Sequence, residues 1–216
     1  MLLCCSDPKE KSVAPFGGTQ AVYTPNPIAV GIPTQGDPII IDVSMSTTAN
    51  GVVKQYQNKD QPLPHAWLMD NEGNPTDDSS ALASDPPGTV LPLGGMDLGY
   101  KGFALGLMVE ALTSALAGHG RSDNPDQWGA SVFLQLINPN AFGGLDKFTA
   151  ETQWLADACL TNPPRTTDTP VRLPGQRGLQ LRATQLETGV GLYPTIMPSL
   201  EVWAEKLNID VPQPVT

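Results

Sequence analysis

Apolar and polar positions divide the chain into a small set of elements. Residues 28–32 and 39–43 are rich in β-branched side chains and are separated by Pro33, Gly36 and Pro38, so the pattern predicts two neighbouring buried strands joined by a turn. The opening Met1-Leu2-Leu3-Cys4-Cys5-Ser6 reads as the inside of another strand, one that either lies at a sheet edge or continues a longer protein. After Ser44 a polar run to Gly51 predicts a turn or short helix. Residues 55–92, dominated by Pro, Asp, Gly, Asn and Ser, predict a long connecting region. Within it Trp67, Asp70, Gly73, Asn74 and Pro75 form a strand fragment closing in a turn. From Lys101 the pattern changes. Phe103, Leu105, Leu107, Met108, Ala111, Leu112, Ala115 and Leu116 are apolar on most sides of one helix, which predicts a buried element ended by Gly118. A strand is predicted over 131–137, helices over 148–160 and 179–187, and a last helix over 200–207 with Ser199 as its N-cap.

With 216 residues, the chain can bury a real core, and its 21 glycines and 22 prolines imply that loops occupy much of it. The net charge of -10 repels nucleic acid and anionic membranes, so neither is an expected partner. Any anionic ligand must therefore be met by a few local cations, which draws attention to Lys101, Arg172 and Arg177. Three cysteines, two of them adjacent, fit a reducing cytoplasm; no signal-peptide pattern opens the chain and no apolar run approaches the ~20 residues of a membrane span. Neither His65 nor His119 stands in a metal-ligand spacing, so no metal is expected, and no GxSxG elbow is present.

Two features carry candidate chemistry. Asp42 follows three isoleucines at the expected C-terminal end of a strand, where ligands of α/β sheets gather; it either binds ligand hydroxyls or serves a turn or helix cap. The run Gly94-Gly95-Met96-Asp97-Leu98-Gly99-Tyr100-Lys101-Gly102 precedes the apolar helix. It reads either as an anion cradle, with a lysine beside exposed backbone N–H groups, or as glycines that let a helix pack tightly.

The ordered set of motifs is more specific than any one of them. Cys5-Ser6-Asp7-Pro8, Val13-Ala14-Pro15-Phe16-Gly17-Gly18, Asn26-Pro27-Ile28-Ala29, Ile41-Asp42-Val43-Ser44, Leu91-Pro92-Leu93-Gly94-Gly95, Gly99-Tyr100-Lys101-Gly102 and Val171-Arg172-Leu173-Pro174-Gly175-Gln176-Arg177 follow one another along nearly the whole chain. In this the chain resembles the malate/L-lactate dehydrogenase family, oxidoreductases distinct from the Rossmann-type lactate and malate dehydrogenases.

The resemblance implies an α/β fold with a mixed, non-Rossmann sheet, flanking helices and long loops. It implies NAD or NADP as cofactor, a 2-hydroxy or 2-oxo acid as substrate, and a homodimer. Positions matching Ser6, Asp42, Val43, Ser44, Asn50, Gly51, Tyr100, Lys101, Arg172, Pro174, Gly175 and Arg177 line the dinucleotide pocket in that family. The family's proton-donating histidine and substrate arginine belong to an N-terminal region with no counterpart here. Residues 1–216 are accordingly expected to be the cofactor-binding and C-terminal part of such an enzyme, deficient in catalysis alone, or else a remnant that at most binds dinucleotide. Tyr100 stands where many family members have histidine, Pro25 where many have threonine, and Val52 where some have aspartate.

Overall fold

The computed structural model describes residues 1–194 and 196–211. Strands β1 (Leu2–Ser6), β2 (Pro27–Ile32) and β3 (Ile39–Ser44) are followed by helix α1 (Asn50–Asn58) and three two-residue strands, β4 (Leu68–Met69), β5 (Pro75–Thr76) and β6 (Thr89–Val90). The short helix α2 (Gly95–Leu98) leads into α3 (Tyr100–Glu110), then come β7 (Ser131–Gln135), α4 (Leu145–Leu160), α5 (Gln176–Thr188) and α6 (Ile196–Leu207).

The main sheet has the order β3-β2-β1-β7, with all its neighbours antiparallel. Leu3 lies opposite both Ala29 and Leu134. β1 is therefore an interior strand, not an edge, because it spends hydrogen bonds on both sides. β4, β5 and β6 form a smaller antiparallel sheet, and Val13 joins Val90 through a single parallel bridge. The α/β class, flanking helices and long loops agree with the sequence reading; the mixed character rests on that one bridge.

Helix α3 departs from the expectation of a helix buried all round. Its buried positions are Gly102, Gly106 and Val109, continued by Thr113 and Ser114 in a wider turn over Ala111–Ala115, while Leu107 and Met108 are exposed. The spacing of 102, 106, 109 and 113 is one helical stripe, and it is the small residues that face inward. They allow the helix to lie close on the body of the protein, with Val109 packing into a cluster with Cys4 and Ile28. A second cluster joins Val13, Tyr23, Met45, Leu68 and Val90, with the Phe103 ring stacked on Tyr23 at 6.4 Å between centroids. Gly118, at φ 68°, ends the helical run in the left-handed region as expected.

Other boundaries shift for local reasons. The polar run after Ser44 yields a full helix, α1, on which Val53 is the buried anchor, and the connecting region is correspondingly shorter. Trp67 to Pro75 forms the expected turn: Asp70 accepts from the backbone N–H groups of Glu72 and Asn74. β7 stops at Gln135, two residues short of the predicted end. α4 and α5 begin three residues earlier than their apolar pattern, each after a positive-φ glycine, Gly144 or Gly175. Ser199 lies inside α6 and donates to the Ile196 carbonyl, so it is no N-cap. Helices α5 and α6 bury no residue among those described, and Leu186, Trp203 and the β7 side chains Val132 and Leu134 face outward.

Candidate functional site

Two segments distant in sequence meet on β3. In a strand, residues two apart share a face, which groups Ile40 with Asp42. The Ile40 N–H donates to the Pro174 carbonyl at 3.0 Å, laying the 173–175 loop along β3. Gly175 is required there twice over. Its φ is 85°, and a Cβ would come within 2.6 Å of the Ile40 Cβ. Helix α5 starts at the next residue, with the Gln176 side chain accepting from the Leu173 N–H.

Between β3 and α5 opens a cavity of about 530 Å³. Asp42 and Val43 line one wall and Pro174, Gly175, Leu179 and Arg182 the other. Asp42 and Arg182 are exposed, and neither side chain makes a hydrogen bond or ion pair with another described residue. The cavity offers apolar faces, a free carboxylate and a free guanidinium, a donor and acceptor set suited to a nucleotide.

The chain leaving β3 ties this wall to the glycine-lysine run. Ser44 shares its hydroxyl with Ser46 at 3.0 Å, and Ser46 forms a β-bridge with Pro92. The Leu93 N–H donates to the Met45 carbonyl at 2.7 Å, and the Gly102 N–H donates to the Leu93 carbonyl at 3.0 Å. A Cβ on Gly102 would strike the Leu93 nitrogen and the Met45 oxygen, and one on Gly99 would strike Gly95, Pro92 and Phe16. Tight packing, not an open cradle, therefore accounts for these two glycines. The N–H groups of Gly95, Leu98 and Gly102 are already spent on backbone carbonyls. Tyr100 and Lys101 are exposed on the outer side of this turn. Tyr100 meets Phe16 edge-on at 6.1 Å, with the Lys101 Nζ 6.0 Å from the Tyr100 ring centre. Beside them a smaller cavity of about 200 Å³ is lined by Phe16, Gly17, Gly95 and Met96. Asn50 and Gly51 are exposed at the start of α1.

Beneath α3 lies a polar network that the sequence reading did not anticipate. Glu110 Oε1 accepts from Ser6 Oγ and Asn26 Nδ2, both at 2.8 Å, and from Arg121 Nε and Nη2 at 3.0 and 2.8 Å. Arg121 also donates to Ser6 Oγ and to the Glu10 carbonyl. Burial pushes the Glu110 carboxyl upward, but the hydrogen bonds from Arg121, Asn26 and Ser6 outweigh it and hold the group below its ordinary value. Tyr23, buried nearby, is pushed up to about 12 by desolvation and by the Glu110 charge.

The sequence profile of the malate/L-lactate dehydrogenase family matches residues 1–201. The chain belongs to the malate/L-lactate dehydrogenase family. It is 34% identical over 206 residues to an L-lactate dehydrogenase of Cupriavidus necator, covering 93% of this chain and 58% of that protein. It is 26% identical over 205 residues to a malate dehydrogenase of Pyrococcus abyssi, covering 91% and 56%. Among solved structures, a malate dehydrogenase from Entamoeba histolytica superposes with a TM-score of 0.86 at 19% identity, covering 98% of this chain and 63% of that one, a likeness of fold. The chain thus spans less than two thirds of the length of these relatives.

Within this malate/L-lactate dehydrogenase family chain, the motif residues do not all converge. Asp42, Val43, Pro174 and Gly175 share the β3–α5 cavity. Ser44 follows on the same strand, and Tyr100 and Lys101 are linked to it through Met45 and Gly102. Arg172 and Arg177 are exposed and do not line that cavity; the arginine that does is Arg182. Ser6 is buried, and its hydroxyl is engaged by Glu110 and Arg121. One signal for the network was present in the sequence: Glu110 is the one carboxylate of α3 and follows the apolar run Phe103 to Val109. Arg182 gave no signal, since it looks like any helix-surface arginine.

Proposed function

We propose that residues 1–216 are the cofactor-holding part of an NAD(P)-dependent dehydrogenase of 2-hydroxy acids, such as the malate or lactate named for its relatives. The observation that carries this reading is the meeting of Asp42-Val43 with Pro174-Gly175 around one cavity large enough for part of a nucleotide. When bound, the nicotinamide supplies the hydride chemistry between a 2-hydroxy and a 2-oxo acid. The chain's own residues bind and orient. Asp42 accepts from ribose hydroxyls, Ser44, Asn50 and Gly51 extend that wall, and Lys101, Arg172 and Arg177 offer positive charge to phosphate oxygens. The exposed apolar surface of β7, α5 and α6 supports burial in a homodimer, and the cytoplasm is the proposed compartment.

Proton transfer is not provided for in the same cavity. His65 and His119 are exposed, His119 lies 3.4 Å from Asp123, and neither lines the space beside Asp42. The 216-residue chain is therefore expected to bind reduced dinucleotide saturably, read by calorimetry, while oxidising it with a panel of 2-oxo acids far below the ~10 per second usual of enzymes. Absence of saturable binding defeats the reading as a cofactor site. Turnover at ordinary enzyme rates defeats the assignment of proton chemistry to residues outside this chain.

A further inference from the structure

The cofactor reading leaves open which dinucleotide is taken, and the β3–α5 cavity contains the groups that decide it. Of the residues lining it, Asp42 and Arg182 are the charged ones. Their side chains face the same space without pairing with each other or with another described residue, so both remain available to a ligand. Their settings differ. Asp42 has a short side chain on a strand hydrogen-bonded to β2, opposite Ala29, and is therefore held in place. On the same face of that strand stands Ile40, an apolar side chain 38% exposed to solvent. Such open apolar faces on a sheet suit a flat nucleobase, and the ribose attached to that base then falls to the adjacent polar group, Asp42. Arg182 lies one turn beyond Gly178 on the α5 side, on a long and flexible stem suited to a phosphate further along the ligand.

We propose that this cavity selects NAD over NADP: Asp42 accepts from the ribose hydroxyls and repels a 2′-phosphate, and Arg182 meets the diphosphate that both dinucleotides carry. The inference rests on the cofactor reading above. A carboxylate is acceptor-only when ionised, so it matches two hydroxyl donors and is mismatched to a phosphate dianion in the same space. The chain's net charge of -10 acts in the same sense against the more anionic dinucleotide.

The test is direct binding of NADH and NADPH to the 216-residue chain and to the variants Asp42→Asn, Asp42→Ser and Arg182→Ala, with thermal melts to show that each variant folds. NADH is expected to bind at least tenfold more tightly than NADPH. Both Asp42 variants should bring the ratio towards one, chiefly by strengthening NADPH binding. Arg182→Ala should weaken both dinucleotides by a similar factor and leave the ratio unchanged. A wild-type preference for NADPH, or one abolished by Arg182→Ala, overturns the proposal by making Arg182 the reader of a 2′-phosphate. Equal binding of both dinucleotides, or a ratio untouched at Asp42, defeats the Asp42 assignment while the cofactor reading stands. Failure of both dinucleotides to bind defeats that reading itself.

Discussion

Replacing Arg121 by alanine lowers the stability of the chain by about 3 kcal/mol, read as a shift of the urea midpoint with an unchanged slope. The guanidinium makes two hydrogen bonds to Glu110 Oε1 and others to Ser6 and the Glu10 carbonyl, with only 14% of the Arg121 side chain and 18% of the Glu110 side chain exposed. Its removal leaves a largely buried carboxylate without its countercharge, the expensive way to break an ion pair. It also frees the segment from Ser6 to Glu10 from its clamp. Arg182→Ala, on an exposed helix surface, should shift stability by less than about 0.5 kcal/mol and serves as the control. Equal effects of the two substitutions would refute a structural role for the network.

The same network sets a pH dependence. The folded-state carboxyl of Glu110 lies below its unfolded value, so its contribution is fully present above the unfolded value of about 4.3 and is lost as pH falls through the folded one. Wild type should therefore lose stability below about pH 5 more steeply than Glu110→Gln, which has no such proton to take up. Parallel curves for the two proteins would show that the carboxylate charge is not what Arg121 recognises.

Gly102→Ala is the second substitution with a large expected effect, about 3 kcal/mol of destabilisation in a thermal or urea melt. The added methyl falls on the Leu93 nitrogen and the Met45 oxygen, backbone atoms already hydrogen-bonded to each other at 2.7 Å and unable to move independently. Gly106→Ala meets the Met45 side chain at 2.8 Å instead, and that flexible end can yield, so about 1 kcal/mol is expected. Gly51→Ala meets nothing within 4 Å inside α1 and should be neutral or stabilising by up to about 1 kcal/mol. The order of these three costs tests whether close helix docking, not backbone freedom, is what Gly102 provides. A Gly102→Ala protein as stable as wild type would restore the open-cradle reading of the glycine-lysine run.

The comparison of sequence with structure turns on how far apart the interacting residues lie. The β2 and β3 strands, the Asp70 turn and the left-handed Gly118 were legible because each depends on alternation or turn chemistry within a few residues. The inward face of α3 was misjudged because apolar residues surround the helix. Periodicity cannot tell which side a neighbour will occupy, and close backbone approach selected the glycine stripe. The position of β1 was open for a related reason. Its sequence reads as a strand, but only the arrival of β7, 125 or more residues later along the chain, makes it interior.

By itself, then, the sequence determined the α/β class, most of the local elements and, through the order of its motifs, membership of the malate/L-lactate dehydrogenase family. Tertiary structure alone decided which charges are spent and which are free. Arg121 reaches Ser6 across 115 positions and so is consumed in the core. The side chains of Arg182 and Asp42, no more conspicuous in the sequence, are left without a partner among the described residues on two walls of one cavity. Charge pairing at close range falls off with distance in space and is blind to distance along the chain, so only the folded arrangement could sort these groups.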